Sequence, residues 1–170
     1  MPVIHSSNDP STSRRRPRGF SLIEVLVALV IVSVGLLGLA AMMQAGLSDN
    51  HTAELQTLAS IDTENLTEFM RANMTGVLDG DYVIGSLPTA APANLCRTVG
   101  NPCTSAEEAQ ADLWNFARTL RNNLPNPQAT VQCEGTCSAT TPYLITVSWS
   151  VANGAHTGLE TVTYSTLYQP

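Results

Sequence analysis

The sequence predicts an α+β fold. A long N-terminal helix, half apolar and half amphipathic, packs on a small C-terminal antiparallel β-sheet, with a short helix inserted between them. Three observations predict it. An apolar run from Phe20 to Met43 carries a single charge, Glu24. Apolar residues then recur at helical spacing as far as Val77. Near the C-terminus, Tyr143, Ile145, Val147, Trp149 and Val151 alternate with Leu144, Thr146, Ser148 and Ser150, the period of a half-buried strand.

Residues 1–13 are polar, lack periodicity and read as a disordered leader. A basic cluster follows (Arg14, Arg15, Arg16, Arg18), and then the apolar run. At ~1.5 Å per residue this run makes a helix of roughly 36 Å, enough to cross a hydrocarbon core of ~30 Å. Basic residues on its N-terminal side keep residues 1–19 in the cytoplasm and put the rest outside. The helical pattern continues through Leu55, Leu58 and Ile61. A second stripe contains Leu66, Phe69, Met70, Met74 and Val77. One helix is expected from about Phe20 to Asn73, ended by Thr75-Gly76 and Asp79-Gly80-Asp81. The expected divisions are a leader (1–19), a membrane half (20–43), an amphipathic half (44–75) and a head (76–170).

Within the head, Tyr82 to Ile84 reads as a short strand and residues 85–102 as loop. Ser105-Ala106-Glu107-Glu108 reads as a capping box. Ala109, Leu113, Phe116, Leu120 and Leu124 then form one helix face, closed by Pro125, with Trp114 packed beside it. Ala129 to Cys133 is expected to pair with the Tyr143 strand. Asn153 to Gly158 turns the chain into a last strand, on which Val162, Tyr164 and Tyr168 share a face.

Charge excludes one class of partner. From Phe20 onward there are four Arg, no Lys and thirteen Asp plus Glu, a net −9. Such a body repels nucleic acid, and no nucleic-acid partner is expected. The four cysteines fall in two close pairs, Cys96/Cys103 and Cys133/Cys137. In a chain with an export signal they read as disulfides. Three connectivities are open. The two local bridges, Cys96–Cys103 and Cys133–Cys137, are favoured because each closes a short loop of turn residues. The spacing and the lack of a nearby His speak against zinc.

Glu24 sets the apolar run apart. A cleaved signal peptide has a shorter apolar region, and a lipoprotein signal needs a cysteine that this segment lacks. A plain signal anchor satisfies length and charge but leaves Glu24 unexplained. A carboxylate at mid-bilayer costs ~2.5–3.5 kcal/mol, less near the interface, and needs a partner. Cleavage after Gly19 would create one, the amino group of Phe20. The Glu of one subunit would pair with the amine of the next.

The run Arg18-Gly19-Phe20-Ser21-Leu22-Ile23-Glu24-Val25 resembles the class III signal of type IV prepilins and pseudopilins. The resemblance implies a pilin-like fold and a prepilin peptidase that cuts between Gly19 and Phe20. It also implies N-methylation of Phe20 and a docking role for Glu24. The segments GLLGLAAM, FMRANMTG, GDYVIG and DLWNFARTLRNNLP are similar to minor type IV pilins of the PilV type. That similarity implies a low-abundance inner-membrane subunit that primes pilus assembly and enters the pilus at or near its tip. It would support twitching motility and adhesion, with other minor pilins, the major pilin and a tip adhesin as partners. Gly38 to Met43 lacks the proline that major pilins commonly carry there, and two bridges depart from their usual one.

No phosphate loop, zinc-protease motif or nucleophile elbow occurs, and no enzyme activity, cofactor or metal is expected. His5, His51 and His156 read as surface residues, and Asp79 with Asp81 supplies too few ligands for calcium. The alternative readings are a minor pseudopilin of the type II secretion system and a signal-anchored periplasmic enzyme.

Overall fold

A computed structural model describes residues 19–96, 102–152 and 158–170. The chain divides into two compact units, residues 1–43 and 44–170. Helix α1 (Leu22–Ala72) begins in the first unit and ends in the second. It is followed by α2 (Met74–Asp79), α3 (Ser105–Asn123) and strands β1 (Gln128–Cys133), β2 (Tyr143–Ala152) and β3 (Leu159–Tyr168). The α+β class and pilin-like element order match the expectation from sequence. Residues 1–18 of the leader, residues 97–101 of the first cysteine loop and residues 153–157 of the β2–β3 turn lie outside the described residues.

In the first unit, the Ser21 carbonyl accepts from the amides of Glu24 (3.0 Å) and Val25 (3.3 Å) and starts α1. Every residue from Leu22 to Met43 is exposed.

In the second unit, α1 buries a stripe: Leu55, Ala59, Asp62, Thr63, Leu66, Thr67 and Met70. The stripe steps by three and four, which keeps it on one helix face. It differs from the expected one. Ile61, Phe69 and Met74 are exposed, while Asp62 and Thr63 are buried. Hydrogen bonds make this tolerable, one within the helix and one to α3. The Thr63 hydroxyl donates to the Ala59 carbonyl at 2.7 Å, and the Asp62 carboxylate accepts from the Asn123 amide at 2.9 Å. Burying a polar group without such partners would cost several kcal/mol, on the order of 2–7.

The helix breaks at Asn73. Its side-chain oxygen accepts from the Gly76 amide (3.2 Å) and caps α2. Thr75-Gly76 therefore lies inside a helix, where it was expected to end one. The reason is steric: a Cβ on Gly76 would sit 2.8 Å from the Asn73 side-chain nitrogen. Gly80 ends α2 in the left-handed region (φ 80°), and its amide reaches the Gly76 and Val77 carbonyls. A Cβ there would lie 3.2 Å from the Cys137 sulfur, so glycine makes room for the second cysteine loop.

Tyr82 to Ile84 contributes a single bridge, Ile84 to Val131, rather than a strand. The capping box of α3 is one residue earlier than expected. Thr104, not Ser105, is the N-cap: its hydroxyl accepts from the Glu107 amide (3.2 Å), and Glu107 accepts from the Thr104 amide (2.9 Å). Thr104 has the extended backbone that a cap needs (φ −73°, ψ 160°). The exposed Glu107 carboxyl is thereby held below its ordinary pKa by the Thr104 backbone and hydroxyl. The expected α3 face is buried, joined by Ala111 and Ala117, while Trp114 is half-buried. Leu124 is extended, as a residue before proline must be.

The sheet has order β1-β2-β3, antiparallel throughout. Tyr143, Ile145, Val147 and Trp149 point inward against α1 and α3 in one core; Val151, at the strand end, is half-buried. Side-chain hydrogen bonds tie the elements together. The Tyr143 hydroxyl donates to the Val77 carbonyl, the Tyr82 hydroxyl to Asp112 (2.7 Å), and the Asn73 amide to the Ser105 carbonyl (2.7 Å).

Two predictions follow from this packing, both read by thermal melting of the full chain in detergent. Asn73→Ala removes the α2 cap and strands the Ser105 carbonyl, so it should cost about 2–3 kcal/mol. Burial raises the Asp62 carboxyl above its ordinary pKa, an effect only partly opposed by Asn123. The folded form thus favours neutral Asp62. Stability from this group is full below the ordinary carboxylate pKa and is lost as pH rises through the folded value. Asp62→Asn should therefore raise the melting temperature at neutral pH, and the gain should shrink as pH falls.

Candidate functional site

The candidate site is the start of α1. Gly19 and Phe20 precede the helix, Ser21 starts it, and Glu24 lies in its first turn. All are exposed, Phe20 to 81%. The sequence reading named Gly19, Phe20 and Glu24, and the structure places the three within six residues at one helix terminus. A Cβ on Gly19 would meet nothing within 4 Å, so the described residues make no steric demand for glycine here. A carboxylate in the first turn also suits the partial positive charge of a helix N-terminus, worth ~0.3–1 kcal/mol.

The apolar surface behind it is uncovered on every side. Leu22, Ile23, Leu26, Ile31, Leu37 and Met42 are each more than half exposed, and nothing in the most apolar window of the helix is buried. Water does not tolerate such a surface at this length. Lipid or other apolar helices must cover it. Gly35, Gly38 and Gly46 would also accept a Cβ without contact. Each costs the helix ~1 kcal/mol relative to alanine with no return inside the chain, and small residues are what closely packed membrane helices use.

The cysteines belong to the second unit. Bridges join Cys96 to Cys103 (Cα–Cα 5.7 Å) and Cys133 to Cys137 (5.5 Å). The first ends one residue before the α3 cap; the second lies against Gly80. Among the described residues no group of three or more His, Cys, Asp or Glu side chains could hold a metal. His51 is exposed beside Glu54 (3.7 Å). Sequence reasoning missed the polar node where Asn73 donates to the Tyr82 hydroxyl (3.3 Å) and Tyr82 to Asp112. Burial, followed by the charge of Glu108, pushes the Asp112 carboxyl up against the opposing Tyr82 bond. Burial and Asp112 push the Tyr82 phenol up. The available signal was position: Asp62 and Asn73 fall on the helix stripe that the apolar residues define.

Residues 14–40 match the family model described as the prokaryotic N-terminal methylation motif. No curated protein and no solved structure matches the chain. The match lies at the start of the chain, and the motif is the one at which prepilin peptidase acts; it fits a type IV pilin or pseudopilin. Together with one membrane-capable helix it fits a membrane-anchored protein.

The chain should accordingly remain with membranes through an alkaline carbonate wash. Ile31→Arg, near the middle of the apolar run, adds ~2.5–3.5 kcal/mol to insertion and should increase the released fraction, read by immunoblot of supernatant and pellet.

Proposed function

We propose that this chain is a minor type IV pilin that primes pilus assembly at the inner membrane and enters the filament at or near its tip. On this reading prepilin peptidase cuts between Gly19 and Phe20 on the cytoplasmic face, and the Phe20 amine is methylated. Glu24 then pairs with the Phe20 amine of the neighbouring subunit while the apolar halves of α1 pack together. The head, held by its two disulfides, stands in the periplasm and later on the cell surface. Other minor pilins, the major pilin and a tip adhesin are its partners there.

The observation that carries this reading is Glu24, set four residues after Phe20 at the start of a helix whose residues 22–43 are all exposed. A lone carboxylate there is costly in a membrane, and a cation brought alongside offsets that cost. Removing one member of such a pair leaves the other buried and uncompensated, at about 3–5 kcal/mol, so the pair sets subunit register.

The second reading is a minor pseudopilin of the type II secretion system. It uses the same motif, and the match at residues 14–40 supports both. The sequences FMRAN and GDY and the Cys96–Cys103 loop favour the pilus.

Gly19→Val should block processing and leave a full-length precursor; a mature-sized product would remove Gly19 from the cleavage site. Glu24→Ala should be processed normally yet be depleted from sheared filaments, and unchanged incorporation would end its docking role. A deletion strain separates the two readings. Loss of surface pili and twitching with intact export of folded enzymes is expected. Loss of export with normal pili would assign the chain to the secretion pseudopilus.

A further inference from the structure

The sheet has two edges, and they are treated differently. Strand β2 sets the pattern. The Ser150 amide bonds on the β1 side, to Pro125 (3.1 Å), so even-numbered residues of β2 direct their backbone groups to β1 and odd-numbered ones to β3. The pairs Tyr143–Tyr168, Ile145–Thr166, Val147–Tyr164, Trp149–Val162 and Val151–Glu160 are then the hydrogen-bonded ones. The same alternation turns the N–H and C=O groups of Leu159, Thr161, Thr163, Ser165 and Leu167 away from the sheet. At the β1 edge the outward groups of Val131 are taken by Ile84 (2.9 and 3.0 Å). At the β3 edge, among the described residues, no backbone group outside the sheet meets them.

An edge of ten residues is normally protected by proline, lysine, a bulge or brevity. Strand β3, LETVTYSTLY, has none of these; its one charge, Glu160, belongs to a residue whose backbone faces β2. Apolar Leu159 and Leu167, 73% and 61% exposed, stand at the ends of the edge. Beside it runs a groove of about 500 Å³ between α1 and β3, lined by Ser60, Glu64 and Arg71 on one side and Tyr164, Thr166 and Gln169 on the other. The Ser60 and Tyr164 hydroxyls, 3.3 Å apart, floor it.

We propose that the β3 edge is a strand-addition site for an extended segment of a different polypeptide that carries basic side chains. The backbone supplies the binding, and the charge selects the partner. Arg71 is already paired with Glu68 and lies over the Tyr168 ring, 5.8 Å from its centre, which leaves Glu64, among the described residues, as the charge on the groove wall without an ion-pair partner. Residues 44–170 hold twelve Asp plus Glu against four Arg, so a second copy of this head is repelled and a basic segment is drawn in. The proposal rests on the edge geometry and stands whether or not Phe20 is processed.

The test places a photoreactive benzoylphenylalanine at Thr161 of the full chain, expressed in its own host at native level, and sequences the cross-linked peptides. The expected product joins Thr161 to a Lys- or Arg-bearing stretch of another chain. Thr163→Pro removes one outward N–H without touching the β2 ladder, and should lower the yield about five- to tenfold while the melting temperature stays near wild type. Ser165→Lys should lower the yield and Ser165→Glu should not. Cross-linking to a second copy, to an acidic or helical stretch, or with a yield indifferent to Thr163→Pro would overturn the proposal. A chain that gives no cross-link at Thr161 would overturn it as well.

Discussion

The head is organised around one amide. Asn73 stands where α1 stops, α2 starts and α3 comes alongside, and each of its side-chain atoms is committed. The oxygen accepts from Gly76; the nitrogen donates to Ser105 and Tyr82. Through Tyr82 the node extends to Asp112 in the middle of α3. Three helices are fixed by groups that would each be costly to bury alone. The sheet is then located by contacts to this frame, with Tyr143 on the Val77 carbonyl and the inward residues of β2 against the α1 stripe. An apolar residue at position 73 would fill similar space yet specify none of these directions.

The chain is written for two solvents. Residues 20–43 bury nothing of themselves, whereas the described residues of 44–170 share a core whose largest fully buried side chains are Trp149, Tyr82 and Tyr143. The stability of the first segment therefore lies outside the molecule, in lipid or in neighbouring helices. Charge follows the same division, with one acid in the apolar run and twelve in the unit after it. A surface of that sign keeps heads soluble and apart, and it leaves association to the helix and to specific edges.

Much of this was legible in the sequence. The apolar run, the β2 alternation and the α3 face are long periodic signals, and burial is what makes them periodic. The stripe expected of the long helix is legible at Leu55, Leu66, Met70 and Val77, which are buried, and fails where apolarity and burial part company. Ile61, Phe69 and Met74 are apolar and exposed; Asp62, Thr63 and Asn73 are polar and buried, each with a partner far away in sequence or four residues back. Cap positions moved by a residue because Thr104 and Ser105 offer the same hydroxyl, and only backbone direction distinguishes them. Gly19, Phe20 and Glu24 are exposed and take no part in the core, so their proposed roles rest on the sequence pattern and not on packing. The free edge of β3 was invisible because it depends on which strand stands beside which.

The Cys133–Cys137 loop has a temporal meaning. Its sulfur occupies the space that Gly80 leaves open at the end of α2, and the bridge closes a loop of five residues, worth roughly 2 kcal/mol by chain entropy. That contribution exists only after oxidation. On the membrane-anchored reading, a head that has crossed gains both covalent links, while one stalled on the reducing side has neither. The two populations then differ in their resistance to unfolding. On that reading the two bridges mark which heads have reached an oxidising compartment.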